Sequence, residues 1–396
     1  MAAIGDIRDL ELNALLEITQ AINNNLPETD LYRIYRFTLL ADLQVRKLAV
    51  FLHDEEWHCK VHFGSEVNWS EEVLPEKHTT YADITEIEEE DAFNEFSHVF
   101  PVHHKDKLLA VVFIGGYNPD TDITFLRALT NILIVAIENK KLARRQLKQE
   151  AYRKELEIAK KVQNFLFPKQ LPKSTRLKID AVYLPHQDVG GDYYDYISLG
   201  DNRFIVCIAD VSGKGVPAAL LMSNFQASLR TLVRKTEDLE EIIVELNHST
   251  CSSSNGENFI TFFIGLYDFN SRVFEYVNCG HNPSYLLTGQ GVKTLEEGTT
   301  ILGMFHPLPF LSKVRVEDLQ QFLFFAYTDG LTEAFNKEDE QFGDERLVQI
   351  LSDHWHEDLN KVHQHVFKAL DDFREDTPYH DDITMISCQV DNGGEA

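Results

Sequence analysis

Three observations predict an α+β chain of two domains joined by a helical linker. The chain has 396 residues, more than a single hydrophobic core usually organises. Residues 121–167 contain neither proline nor glycine, the residues that most readily break a helix. Beyond that stretch, apolar runs of strand character run into Asp210 and Asp329 or begin just after Asp192 and Asp381. The expected boundaries are an N-terminal domain over 1–120, a linker over 121–168 and a C-terminal domain over 169–391.

The N-terminal part opens with helical periodicity over 7–22, where Leu10, Leu12, Leu15, Leu16 and Ile22 are apolar, and a second helix is expected over 31–43. Strands are expected over 48–53, 57–63, 99–103 and 108–114, with His104-Lys105-Asp106-Lys107 as a hairpin turn. The acidic run 86–91, broken only by Ile87, reads as a solvated segment rather than a calcium site. This order of elements resembles a GAF domain, which implies a small-molecule or signal-sensing module, or one used only for dimerisation. It lacks a cyclic-nucleotide signature, and Cys59 by itself does not argue for a covalent chromophore.

In the linker, Leu129, Leu133, Ala136, Leu156, Ala159, Val162 and Leu166 recur at spacings of three or four within each half. Lys140, Lys141, Arg144, Arg145, Lys148, Arg153, Lys154, Lys160 and Lys161 supply the polar surface. This pattern predicts a coiled-coil seam between two copies. The basic residues read as a solvated helix face rather than a nucleic-acid contact.

The C-terminal part carries the chemistry. Strands over 193–199 and 204–209 flank Gly200-Asp201-Asn202, a turn-forming cluster, and so predict a hairpin. Asp192 and Asp210 are equidistant from Asp201, so antiparallel pairing brings both carboxylates to one end of the ribbon. Strands over 322–327 and 383–390 repeat the device if they pair antiparallel, because Asp329 and Asp381 then share a rim. Four converging carboxylates repel one another, and a pair of divalent cations relieves that repulsion. An all-oxygen donor set favours magnesium or manganese over zinc.

Five ordered segments sharpen this reading. Val189-Gly190-Gly191-Asp192-Tyr193-Tyr194-Asp195, Ala209-Asp210-Val211-Ser212-Gly213-Lys214-Gly215, Asn278-Cys279-Gly280-His281-Asn282-Pro283, Tyr327-Thr328-Asp329-Gly330-Leu331-Thr332-Glu333-Ala334 and Asp381-Asp382-Ile383-Thr384 follow one another along the chain. Together they resemble the SpoIIE/RsbU-like branch of the metal-dependent, PPM-type serine/threonine phosphatases. The resemblance implies a β-sandwich flanked by helices, with two Mn²⁺ or Mg²⁺ ions at one edge. It also implies that Asp192, Asp210, Asp329 and Asp381 are catalytic metal ligands, that the Val211 carbonyl adds an oxygen, and that Asp382 and Gly213 lie just behind them. The substrate it implies is a phosphorylated protein, a STAS-type anti-sigma-factor antagonist in a partner-switching pathway.

One departure matters. Many PPM enzymes read Asp-Gly-His-Gly where this chain has Asp210-Val211-Ser212-Gly213, so the histidine proton donor is missing from that place. His281 and His380 lie in matching motifs and read as structural, which leaves a general acid unassigned. Ser212-Gly213-Lys214-Gly215 is not a nucleotide P-loop, because the glycine spacing and the following Ser/Thr are absent. Pro217 instead suits the first turn of a helix over 218–233. A haloacid-dehalogenase-type aspartyl nucleophile is disfavoured because Tyr327 stands two residues before Asp329. An HD-type phosphohydrolase would need histidine ligands on helices, whereas Asp381 opens a strand.

Against 37 lysines and arginines the chain has 64 aspartates and glutamates, a net charge of −27 that argues against nucleic acid or an anionic membrane as partner. The five cysteines have no paired spacing, and neither a leader nor an apolar run long enough to span a bilayer is present, so a cytoplasmic protein is expected. The alternative to an enzyme is a sensory scaffold whose phosphatase fold binds partners with little turnover.

Overall fold

The structure is a computed structural model that describes residues 2–54, 56–117, 122–254 and 257–392. Thr121, where the linker was expected to begin, lies outside them. The chain divides into two compact units, Met1–Ala151 and Tyr152–Ala396.

Unit one contains α1 (Ala2–Asn23), α2 (Glu28–Ala41), β1 (Lys47–Asp54), β2 (Glu56–Phe63), β3 (Thr85–Glu86), β4 (His98–His104), β5 (Lys107–Gly115) and the first part of α3 (Ile123–Asn164). Its strands form one antiparallel sheet in the order β2-β1-β5-β4-β3. Period-two alternation sorts the side chains of β1 between two cores. Leu48, Val50 and Leu52 pack with Ala14, Ile18, Leu31 and Tyr35 of the helices, whereas Ala49 and Phe51 join an aromatic cluster with Trp69, Phe93, Phe96 and Phe113. The β4–β5 turn is tight, with Lys105 at φ 54°.

The long helix is present, but its beginning is not a free linker. Leu126, Leu129, Leu133 and Ile137 are buried in the core of unit one, and the Tyr35 hydroxyl meets Thr130 Oγ1 at 2.6 Å. A seam between copies therefore cannot use Leu129 or Leu133, because the sheet of their own unit already covers them. α3 leaves Ile132 and Leu142 partly open, and its most exposed apolar side chains lie further along, at Leu147, Tyr152, Ile158 and Val162.

Unit two continues through β6 (Leu177–Leu184), β7 (Tyr193–Ser198), β8 (Arg203–Val211), α4 (Val216–Val233), α5 (Leu239–Ser254), β9 (Ile260–Asp268), β10 (Val273–Cys279), β11 (Ser284–Thr288), β12 (Gly291–Leu295), β13 (Gly298–Thr299), β14 (Val314–Val316), β15 (Gln321–Tyr327), α6 (Asp329–Thr332), α7 (Asp344–His354), α8 (Leu359–Arg374) and β16 (Ile383–Asp391). One sheet runs β13-β10-β9-β8-β7, with β14 also pairing β10, and the other runs β12-β11-β15-β16-β6. Phe204, Val206, Ile208, Phe263 and Phe274 of the first sheet meet Phe322, Phe324, Ile386 and Cys388 of the second. Phe263 and Phe324 stack across this interface at 5.3 Å. Both outer faces are also covered, the first by α4 and α5 and the second by α7 and α8. Central strands such as β8 and β15 are thus buried on both faces, which is why they read as continuous apolar runs rather than alternating ones.

Helix α4 begins with Pro217 in its first turn and buries Ala218, Met222, Phe225, Leu229 and Val233, a stripe at steps of three and four. On the opposite side, α8 is pinned by a buried polar relay: His363 Nε2 lies 2.7 Å from Ser387 Oγ, and His363 Nδ1 lies 3.3 Å from Asp180 Oδ2. The order Ser-His-Asp is that of a hydrolytic triad. Ser387 is fully buried beneath the helix, however, so the relay holds α8 to the sheet and no substrate reaches it.

Candidate active site

The two predicted pairings occur as drawn. In the β7–β8 hairpin Tyr193 pairs with Ala209, and continuing the register by one step sets Asp192 opposite Asp210. In the other sheet Tyr327 pairs with Met385, and the Thr328 amide donates to the Thr384 carbonyl at 2.9 Å, which sets Asp329 beside the Asp381-Asp382 corner. The two sheets therefore deliver their acids to one rim. Direct contacts join them: Asp192, from the first sheet, accepts hydrogen bonds on Oδ2 from Thr328 Oγ1 at 2.8 Å and Thr384 Oγ1 at 2.5 Å, both from the second.

Three glycines make this convergence possible. A Cβ on Gly190 would lie 1.8 Å from Asp382 Oδ2, one on Gly191 would lie 2.6 Å from the Val211 carbonyl oxygen, and one on Gly330 would lie 2.1 Å from the Asp382 carbonyl oxygen. They serve close approach of chain to chain. Gly213 differs, with φ +94° and open space around it, so its role is the turn between β8 and α4.

The carboxylates feel one another. Burial, then the charges of Asp210 and Asp382, holds the Asp192 carboxyl well above the usual range. Asp210 is pushed up to about 7 by burial and by Asp329 and Asp381, while its hydrogen bond with Asp192 acts the other way. Asp329 is raised by burial, then by Glu333 and Asp381. Asp382, raised mainly by burial, spends both oxygens on the backbone, accepting from the His186 amide at 2.7 Å and the Gly191 amide at 3.0 Å. It therefore shapes the glycine loop rather than facing outward. Asp381 is the open member, with its side chain 46% exposed and Oδ2 held 2.8 Å from Lys214 Nζ.

Sequence reasoning missed several members. Thr328 and Thr384 anchor Asp192, and their only signal was adjacency to the acidic motifs. Lys214, which also donates to the His380 carbonyl at 2.8 Å, enters the sequence reading only as part of a rejected P-loop. Buried Gln163, near the end of α3, donates from Nε2 to the Gly190 carbonyl at 2.7 Å, and no local pattern marks it. His281 is buried, shares a hydrogen bond of 2.8 Å with Thr261 Oγ1, and is pushed down to about 4 by burial. Burial thus keeps the ring neutral near pH 7.

The donor chemistry fits divalent cations. Several acids crowd one rim, Lys214 is the cation in contact with Asp381, and burial together with the neighbouring acids raises the proton affinity of Asp210 and Asp329. No three of these carboxylates bring oxygens within 4.8 Å of one another.

The double sheet with helices on both outer faces is similar in fold to a solved PP2C domain. The SiaA-PP2C domain of Pseudomonas aeruginosa superposes with a TM-score of 0.55 at 22% identity, covering 62% of this chain and 98% of that domain. Residues 200–391, just under half of the chain, match the family described as Stage II sporulation protein E (SpoIIE). The match begins after Asp192, which the hairpin register adds to the rim. Among curated relatives, Protein IcfG of Synechocystis sp. is 28% identical over 63% of this chain and 43% of its own length. Phosphoserine phosphatase RsbU of Bacillus subtilis is 27% identical over 60% of this chain and 70% of its own. The chain thus spans less than half of the first relative. Among the described residues, no helix is long and apolar enough to cross a membrane.

Proposed function

We propose that this chain is a metal-dependent protein serine/threonine phosphatase. The observation that carries the reading is the meeting of Asp192, Asp210, Asp329 and Asp381 at one rim of the double sheet. These four and the Val211 carbonyl would hold two Mn²⁺ or Mg²⁺ ions. When bound, such ions lower the pKa of a water and polarise the phosphoryl oxygens, so that hydroxide displaces the serine or threonine oxygen without a phosphoenzyme.

The chain's own residues supply the positioning. Thr328 and Thr384 hold Asp192 across the two sheets, Asp382 fixes the Gly190-Gly191 loop, and Gln163 braces that loop from α3. The rim is open at Asp381 and Lys214, both about half exposed, which suits a phosphate carried on a protein. A phosphorylated STAS-type regulator in partner-switching signalling is the substrate in this reading, supported by the likeness to RsbU, itself named a phosphoserine phosphatase. Unit one acts as a GAF-like sensor, a role supported by its antiparallel sheet with helices on one face. The exposed apolar residues of α3 past the sensor core, Leu147, Ile158 and Val162, support a homodimer through the linker. Free cysteines agree with a cytoplasmic location.

The assay that tests this follows phosphate release from phosphoserine-bearing STAS proteins with added Mn²⁺ and with EDTA. Turnover abolished by EDTA and restored by Mn²⁺ is expected; metal-independent turnover, or none on any phosphoprotein, would favour the scaffold instead. Comparison with a chain shortened to begin at Ala151 tests the sensor, because equal rates under every sensor condition remove it from control.

A thermal experiment probes the rim without substrate. The raised Asp210 carboxyl favours the folded state below about 3.8, its unfolded value, and that contribution is lost as pH rises through about 7. The EDTA-treated protein should therefore lose melting temperature between pH 5 and pH 8. Manganese should raise the melting temperature more at pH 8 than at pH 5, and an increment equal at both pH values would contradict the coupling.

A further inference from the structure

We infer a second metal site, for zinc, at the turn between α7 and α8. His354 ends α7, Glu357 lies in the turn, and His365 lies on α8. Glu357 Oε1 is 2.8 Å from His354 Nδ1 and 3.6 Å from His365 Nε2, and all three ligand atoms lie within 4.8 Å of one another. Among the described residues this is the only such trio of histidine, cysteine or acidic side chains.

The spacing matches the chemistry. Zinc bonds of about 2.0–2.1 Å arranged as a tetrahedron set neighbouring donors about 3.3 Å apart. The two distances to Glu357 Oε1 bracket that value. Two imidazoles and one carboxylate form a donor set that prefers zinc to magnesium or manganese, the reverse of the all-oxygen rim. The side chains of His354, Glu357 and His365 are 31%, 36% and 40% exposed, so an ion can enter and solvent can take a fourth position.

The ion would replace the hydrogen-bonding proton between His354 Nδ1 and Glu357. It would take one in-plane lone pair from each ring and leave the remaining proton on His354 Nε2 and on His365 Nδ1. The rings now stack at 3.8 Å with planes 7° apart, so capture requires them to hinge open, which their exposure permits. The nearest competing cation is Lys361, 4.0 Å from Glu357 Oε2 and free to turn into solvent.

The site is separate from the acidic rim. Glu357 sits against the far end of β16, where Gln389 Nε2 meets its carbonyl at 3.5 Å, whereas Asp382 precedes the first residue of that strand. At about 3.3 Å per residue, the seven steps from Asp382 to Gln389 span roughly 23 Å. Bound zinc would staple the end of α7 to α8, the two helices that cover the sheet bearing Asp329 and Asp381.

The experiment titrates ZnCl2 into the EDTA-stripped, dialysed full chain in excess MgCl2, by calorimetry and by metal analysis after gel filtration. His365→Gln, Glu357→Gln and Asp210→Asn are run alongside, with circular dichroism to verify folding. One zinc equivalent is expected for the wild type and for Asp210→Asn, with affinity falling roughly 10–100-fold or more in His365→Gln and Glu357→Gln. Cobalt should give a visible ligand-field band in the wild type that His365→Gln lacks. Unchanged zinc affinity in His365→Gln, no zinc on the wild type, or loss of zinc in Asp210→Asn would each overturn the site.

Discussion

Replacing Asp210 by asparagine is expected to abolish phosphatase turnover while raising the melting temperature of the metal-free protein. The two effects share one cause. Asp210 is pushed up to about 7 by burial and by the charges of Asp329 and Asp381, so near neutral pH its carboxylate is tolerated only at a cost to folding. Asparagine keeps the shape and removes the charge, which relieves the neighbouring acids. The same change takes an anionic oxygen from the cluster that would hold the ions, and so weakens the site that would supply their chemistry. A loss of about a thousandfold in kcat corresponds to ~4 kcal/mol of transition-state stabilisation. Steady-state kinetics at saturating Mn²⁺ and a melting curve in EDTA measure the two arms. A variant that keeps full activity removes Asp210 from the chemistry, and one less stable than wild type without metal shows that the carboxylate stabilises the fold instead.

The parts of this site that could be read from sequence are those set by local pairing. The turn Gly200-Asp201-Asn202 fixes the β7–β8 register, so the meeting of Asp192 and Asp210 needs no tertiary knowledge. The pairing of β15 with β16 was a conditional inference, since more than fifty residues separate them and three helices intervene. It succeeds because both strands are continuous apolar runs flanked by acids. Contacts that join one sheet to the other leave no periodic trace. Thr328 and Thr384 reaching Asp192, and Gln163 reaching Gly190, are single side chains whose partners are chosen by the sandwich. The linker helix was visible as a stretch without breakers. The burial of Leu129 and Leu133 under the sheet of unit one was not, because a coiled-coil seam and a core-facing stripe share the same spacing. The His354, Glu357 and His365 cluster was likewise invisible, its members being scattered over a helix end, a turn and a second helix.

Gly330→Ala is expected to be the most damaging single-methyl change at the rim, lowering stability by about 1–3 kcal/mol and kcat/KM by roughly a hundredfold. Gly330 shows no positive φ, so alanine meets no backbone penalty there and even suits the short α6 it enters. The obstacle is space. The added Cβ would stand 2.1 Å from the Asp382 carbonyl oxygen and 3.0 Å from its carbonyl carbon, and backbone atoms cannot swing aside as the end of a flexible side chain can. The ends of β15 and β16 must then separate by about an ångström, at the point where Thr328 donates to Thr384 and where Asp329 approaches Asp381. Separation there also loosens the threonine hold on Asp192, so all four acids move together. Gly213→Ala supplies the contrast, since a Cβ at Gly213 meets nothing within 4 Å and the cost is confined to a φ of +94°. Chemical denaturation and kinetics on both variants distinguish the cases. Gly330→Ala should lose affinity for Mn²⁺ as well as stability, whereas Gly213→Ala should lose stability with less effect on the metal. Equal behaviour of the two would mean that close packing of β15 against β16 does not set the geometry of the rim.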